Sequence, residues 1–113
     1  MADRMRAELQ RALDDGGRVA EDAAAALGDG PLRSRLTSSI RALAAHRGRQ
    51  SSICPSDAAR AVGGADWRSL MDDARDAARH LARAGEVEIV QRGRVLEPDG
   101  DWRGAVRIRP AGG

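Results

Sequence analysis

Apolar residues are spaced in three different ways along this chain. Met5, Leu9 and Leu13 recur every fourth residue, a narrow stripe on one helix that Gly16 and Gly17 end, and Val19, Ala20, Ala23, Ala24 and Leu27 repeat the pattern. Gly28, Asp29, Gly30 and Pro31 make the clearest break, with Pro31 placed to open the next helix. Leu36, Ile40, Leu43 and Ala44 predict a helix over about 32–47, stopped by Gly48. After a short extended stretch at Ser51, Ser52 and Ile53, Pro55 disfavours helix at Cys54 and opens a second helix, 55–62.

Gly63 and Gly64 predict a tight turn, and Asp66 has the chemistry of an N-cap for a third helix reaching about Ala84. In it Trp67, Leu70, Met71, Ala74, Ala77, Ala78 and Leu81 fall on one side at 100° per residue, while Arg68, Arg75, Arg79 and Arg83 fall opposite. Beyond Gly85 the period becomes two: Val87 and Ile89 alternate with Glu86 and Glu88, and Arg92 and Gly93 turn the chain into Arg94, Val95 and Leu96, a hairpin. A polar loop containing Trp102 follows, then a short strand at Val106 and Ile108 and a frayed tail over 110–113. This order predicts a mostly helical α+β domain, a winged helix-turn-helix over 32–110 preceded by a helical extension over 1–31.

Composition sharpens the picture. Among 113 residues there are 22 alanines but only 19 Leu, Ile and Val, so the core must be thin and built by close helix approach. All 19 basic residues are arginines and nearly balance 17 acids, which argues against disorder. Charge is uneven, with net −3 over residues 1–31 and +5 over 32–113. Cys54 is the only cysteine, excluding an intrachain disulfide and a cysteine-rich zinc site. With no apolar run approaching 18 residues and acids near the N-terminus, a cytoplasmic protein is expected, neither secreted nor membrane-spanning.

The runs SICPSDAARAVGG, DWRSLMDDARDAARHLARAGEVEIVQRGRV and GAVRIR resemble the bacterial family called domain of unknown function 3253 over about residues 32–109. Ile53-Cys54-Pro55-Ser56, Asp66-Trp67-Arg68 and Gln91-Arg92-Gly93-Arg94 are the most specific parts. The resemblance implies a winged-helix domain and supplies no activity.

The third helix occupies the recognition position of a helix-turn-helix, where exposed side chains meet base edges; Arg68, Arg75 and Arg79 are its candidate DNA contacts. Arg92 and Arg94 at the hairpin turn and Arg103 in the next loop are candidates for a wing on a minor groove or backbone. Against these stand Asp72, Asp73 and Asp76, which would repel phosphates and can pair with the arginines. The stretch 33–56 carries five arginines and no acid, either a phosphate-contacting segment or the solvated side of the first domain helix. Trp102 is equally open to stacking and to burial, Trp67 reads as core, and Cys54 reads as structural over redox-active. His46 and His80 lie apart with no metal-ligand spacing, and no nucleophile triad, phosphate loop or carboxylate pair is visible, so neither an enzyme nor a cofactor or metal is expected.

Two functions remain open from the residues alone. One is a DNA-binding winged helix, a transcriptional regulator or accessory factor. The other is a protein-interaction module without DNA binding, with a homodimer through the N-terminal helices compatible with either.

Overall fold

Helix α3 (Leu32–Arg47) is the axis of the fold, and its residues show why. Leu36, Ile40 and Leu43 are fully buried, and small residues at Ser38, Ser39, Ala42 and Ala44 are buried around them, so helices approach it on several sides. The computed structural model describes residues 2–48 and 50–112. Arg49, one of the five arginines of the 33–56 stretch, and Gly113, the end of the expected tail, lie outside them.

Five α-helices and three strands follow in order: α1 (Ala2–Asp15), α2 (Arg18–Leu27), α3, α4 (Pro55–Gly63), α5 (Met71–Arg83), β1 (Val87–Gln91), β2 (Arg94–Leu96) and β3 (Arg107–Pro110). This is the predicted α+β winged helix with a helical N-terminal part. Helices α3, α4 and α5 form the helix-turn-helix unit. Ala74, Ala77, Ala78 and Leu81 bury one side of α5, short side chains that let it lie close to α3 and α4.

The third helix departs from expectation at its start. Gly64–Leu70 is a 3-10 segment kinked at Asp66 (φ −93°, ψ 15°), and the α-helix begins only at Met71, so Asp66 does not cap it. The cause lies in the turn. A side chain at Gly63 would meet Leu70 Cδ1 at 2.7 Å, so the 3-10 segment is folded tightly back onto the end of α4.

The sheet order is β2-β1-β3, all antiparallel. Arg92 (φ 53°) and Gly93 (φ 82°) are both left-handed, the primed two-residue turn that suits the twist of a tight hairpin. The last strand extends further than its alternation suggested. Pro110 pairs with Val87 and the Ala111 N–H donates to the Glu86 carbonyl at 3.1 Å, so this part of the expected frayed tail is ordered on β1. On the other side of β3, Ile53 and Ile108 exchange both backbone hydrogen bonds at 2.9 and 2.7 Å. Val87, Ile89, Val106 and Ile108 face the helices.

Helices α1 and α2 belong to the same core. Met5, Leu9 and Ala12, with Ala23 and Ala26, are buried in one cluster with α3, α4 and the sheet, so the Met5, Leu9, Leu13 stripe faces the chain's own interior. Polar ties reinforce it. Arg6 donates to the Ala61 carbonyl at 3.0 Å near the C-terminus of α4, and Arg35 to the Ala26 carbonyl at 3.0 Å. Arg47 grips both oxygens of buried Glu8 at 2.8 and 2.9 Å, reaches the Ser52 carbonyl at 3.0 Å and lies 3.7 Å from Asp57. One guanidinium thereby joins α1, α3, the 52–54 segment and α4. Arg41 does similar work on the far side of α3, bidentate to Glu86 at 2.9 and 3.0 Å and 4.0 Å from Asp22 of α2.

The Arg47 hydrogen bond holds the Glu8 carboxyl below its ordinary range, against the opposing effect of burial. A lowered carboxylate contributes stability that is complete above the unfolded-state value of about 4.3 and is lost as pH falls through the folded-state value. Glu8→Gln is therefore expected to cost about 1–3 kcal/mol at pH 7, by leaving Arg47 without its partner. Thermal melts from pH 7 to pH 3 should show a shallower acid-side loss in the variant. Leu9→Ala, which opens a cavity between α1 and the core, should cost about 2–5 kcal/mol in urea unfolding, and a value near zero would mean that α1 is not part of the cooperative unit.

Candidate nucleic-acid interface

The candidate arginines come from four local settings. Arg68 lies on the 3-10 segment, exposed, with its guanidinium 4.6 Å from the centre of the Trp67 ring; Arg60 of α4 covers the same ring at 4.3 Å. Trp67 is thus half-buried, packed against the core and overlain by two cations, less enclosed than its place on the apolar side of the helix suggests.

Arg75 and Arg79 are one turn apart on α5 and both reach the loop between β2 and β3. Arg79 Nη1 donates to the Pro98 and Gly100 carbonyls at 2.8 and 2.7 Å, and its guanidinium stacks 3.9 Å from the centre of the Trp102 ring. Arg75 Nη2 donates to the Trp102 and Gly104 carbonyls at 3.1 and 3.2 Å. Arg83, one turn further, pairs with Asp99 of the same loop. Trp102 is buried, its indole N–H donating to the Glu97 carbonyl at 3.0 Å. Of its two readings from sequence, burial is the one realised. The loop lies along the arginine side of α5 and engages one terminal nitrogen of each of Arg75 and Arg79, which holds both guanidiniums against the chain.

Arg92, Arg94 and Arg103 are drawn to one end of the sheet. Arg92 and Arg94 flank the hairpin turn and are exposed, and Gln91 Nε2 donates to the Arg103 and Ala105 carbonyls at 2.6 and 3.0 Å, which pins the loop beside that turn. Arg103 pairs with Asp101 at 2.9 Å in full solvent. The six candidates therefore do not form one surface. Three gather at the hairpin end, two lie under the loop, and Arg68 stands beside Trp67.

The N-terminal half of α5 presents acids outward. Asp72 and Asp76 are exposed at four-residue spacing and Asp73 is half-buried beside them. Asp72 and Asp73 sit in the first turn, where they favour the helix dipole. A carboxylate about 6 Å from a phosphate costs about 0.7 kcal/mol even in bulk water, and more where water is excluded. Three such groups oppose docking of this helix in a groove.

Two arginines outside the predicted set matter to the geometry. Arg107 donates to the Ser52 carbonyl and hydroxyl at 2.8 and 2.9 Å and lies 2.8 Å from Cys54 Sγ; Arg109 pairs with Glu88 at 3.2 Å. Their alternation with Ile108 places them on the outer face of β3, a pattern present in the sequence. Cys54 itself caps α4, its backbone N–H donating to Asp57 at 2.9 Å in a capping box. Among the described residues no group of three or more His, Cys, Asp or Glu is placed to hold a metal ion, and no helix is long and apolar enough to cross a membrane.

If the clasp is as important as its four carbonyl contacts imply, Arg79→Ala frees the loop and hydrates Trp102. The expected result is a red shift and loss of intensity in tryptophan emission with about 1–3 kcal/mol of destabilisation. Arg68→Ala, which touches no loop carbonyl, should leave Trp102 protected from acrylamide quenching.

No curated protein matches the chain. Residues 33–111 match the family described as Protein of unknown function (DUF3253). The match begins at the second residue of α3 and ends one residue past β3. It takes in the helix-turn-helix, the sheet and the loop clasped by α5, and it leaves out α1 and α2. Covering well over half of the sequence, it places the chain in the DUF3253 family.

Proposed function

We propose that this protein is a winged-helix protein-interaction module whose α5 docks on a partner protein instead of reading DNA bases. The observation that carries the reading is the engagement of Arg75 and Arg79 by the carbonyls of Pro98, Gly100, Trp102 and Gly104. Base readout by arginine depends on a free, forked set of donors aimed at guanine O6 and N7. Here one terminal nitrogen of each guanidinium is directed into the chain itself, and the exposed positions of the same helix are Asp72, Asp76, His80 and Arg83, the last paired with Asp99. A partner segment carrying Lys or Arg complements that face and a phosphate backbone does not.

A second reading, a DNA-binding accessory factor of transcription, is favoured by one feature. Arg92 and Arg94 are exposed at the hairpin tip with no acidic partner among the described residues, a position from which a wing contacts phosphates.

The deciding experiment is fluorescence anisotropy with two labelled probes, a random-sequence duplex and a Lys/Arg-rich peptide, titrated from low to physiological salt. The docking reading expects peptide binding that Asp72→Asn with Asp76→Asn weakens at least fivefold, and no micromolar duplex binding at physiological salt. Duplex binding that falls steeply with salt and disappears in Arg92→Asn with Arg94→Gln would overturn it in favour of the wing. Asn suits the left-handed Arg92 position, so that variant removes charge without unfolding the turn.

A further inference from the structure

A cleft of about 670 Å³ opens between α1, the end of α3 and α4, lined by Arg4, Met5, Glu8, Arg11, Arg47, Asp57 and Arg60. We infer that it is a binding site for a small multivalent phosphate anion of the inorganic polyphosphate type, held by Arg4, Arg11 and Arg60. This site is separate from the α5 face and stands or falls independently of the docking reading.

The charge balance of the lining is the first ground. Its two acids are already satisfied. Both Glu8 oxygens are held by Arg47, and Asp57 accepts the Cys54 N–H at 2.9 Å while facing Arg47 at 3.7 Å. Arg47 is correspondingly neutralised. Arg4 and Arg11 are exposed and have no hydrogen-bond or ion-pair partner among the described residues, and Arg60 has only the Trp67 ring. Four guanidiniums thus face two carboxylates, so the cleft keeps a net positive charge, and Arg4, Arg11 and Arg60 line it without a carboxylate partner among the described residues.

Preorganisation is the second. Arg4 and Arg11 stand seven residues apart on α1, two helical turns or about 10.5 Å of rise along one wall. Arg60 faces them from α4, its guanidinium held over the Trp67 ring, 4.3 Å from its centre. A guanidinium stacked on an indole keeps its edge N–H groups available, the geometry that suits bidentate oxyanion binding.

The walls also specify what kind of anion fits. Volume alone would admit a nucleotide. Met5 is the only apolar side chain in the lining, no aromatic ring lines the cleft, and the guanidiniums of Arg60 and Arg68 already lie over the neighbouring Trp67 ring. Nothing is left for a base to stack on. The cleft recognises charge and phosphate oxygens, and it depends on α1, which lies outside the family match.

Isothermal titration of the full chain with inorganic tripolyphosphate at low ionic strength tests this. The expected result is saturable one-to-one binding, weakened at least tenfold by Arg4→Gln with Arg11→Gln and changed less than twofold by Arg18→Gln with Arg33→Gln. The control pair removes the same charge from surfaces away from the cleft. Arg4 and Arg11 make no side-chain hydrogen bond or ion pair among the described residues, so thermal melts of the first variant should match the parent. Absence of saturable binding, or equal weakening by both double variants, would show only a general response to net charge and overturn the site. ADP binding much tighter than tripolyphosphate would contradict the argument from the walls.

Discussion

Donation from an arginine side chain to backbone carbonyls is the interaction on which the irregular parts of this structure depend. Arg79 and Arg75 hold the loop between β2 and β3, Arg107 and Arg47 hold the segment before α4, and Arg6 and Arg35 fasten helix ends. The need for it follows from the core. Alanines line the contacts of α3, α4 and α5, so the helices pack closely but bury little area each, and long segments without secondary structure have few large apolar anchors. Ile53, Trp102 and Val106 are the buried anchors of those segments, and Trp102 too lies under a guanidinium. Net worth per charged hydrogen bond is about 1.5–3 kcal/mol, comparable to burial of a large aliphatic side chain at about 1.5–3 kcal/mol, so the substitution of one kind of anchor for the other is energetically reasonable.

That dependence explains which features were legible in the sequence. Helices α3 and α4 and the β1–β2 hairpin were readable because period, proline and glycine all agree there. The start of α5 was not, because Asp66 has the chemistry of a cap while the fit of Leu70 against Gly63 fixes the backbone instead. Arg75 and Arg79 were readable as a face but not as a clasp. Helical periodicity says that they leave the apolar side, and the carbonyls that receive them belong to a loop whose path has no residue signature. The outward position of Asp72 and Asp76 was readable, and it gained weight only once the neighbouring arginines were found to be occupied.

The N-terminal part shows the limit of a break in secondary structure as a guide to packing. Gly28 to Pro31 separates α2 from α3 in the backbone, yet Met5, Leu9, Ala23 and Ala26 share one apolar cluster with Leu36 and Leu43. The pairing of Glu8 with Arg47 spans 39 residues across the same break. A helix of 14 residues with one buried face and few good aliphatics is marginal alone, so α1 owes its helical state largely to docking.

Docking of α1 also changes the electrostatic surface. The formal net charge of +2 conceals a separation in which acids lie outward on α5 and uncompensated arginines gather between α1 and α4. Without α1, the α4 side would keep Arg60 and Arg47 but lose Arg4, Arg11 and Glu8, and the half-buried Arg47 would lose its carboxylate partner. The acidic N-terminal segment thus adds cations where it meets the domain while its own acids are directed elsewhere or neutralised. Asp22, 4.0 Å from Arg41, and Glu8, held by Arg47, illustrate the second outcome. Net charge by segment, which assigns −3 to this region, therefore has the wrong sign for the cleft that α1 builds together with α3 and α4.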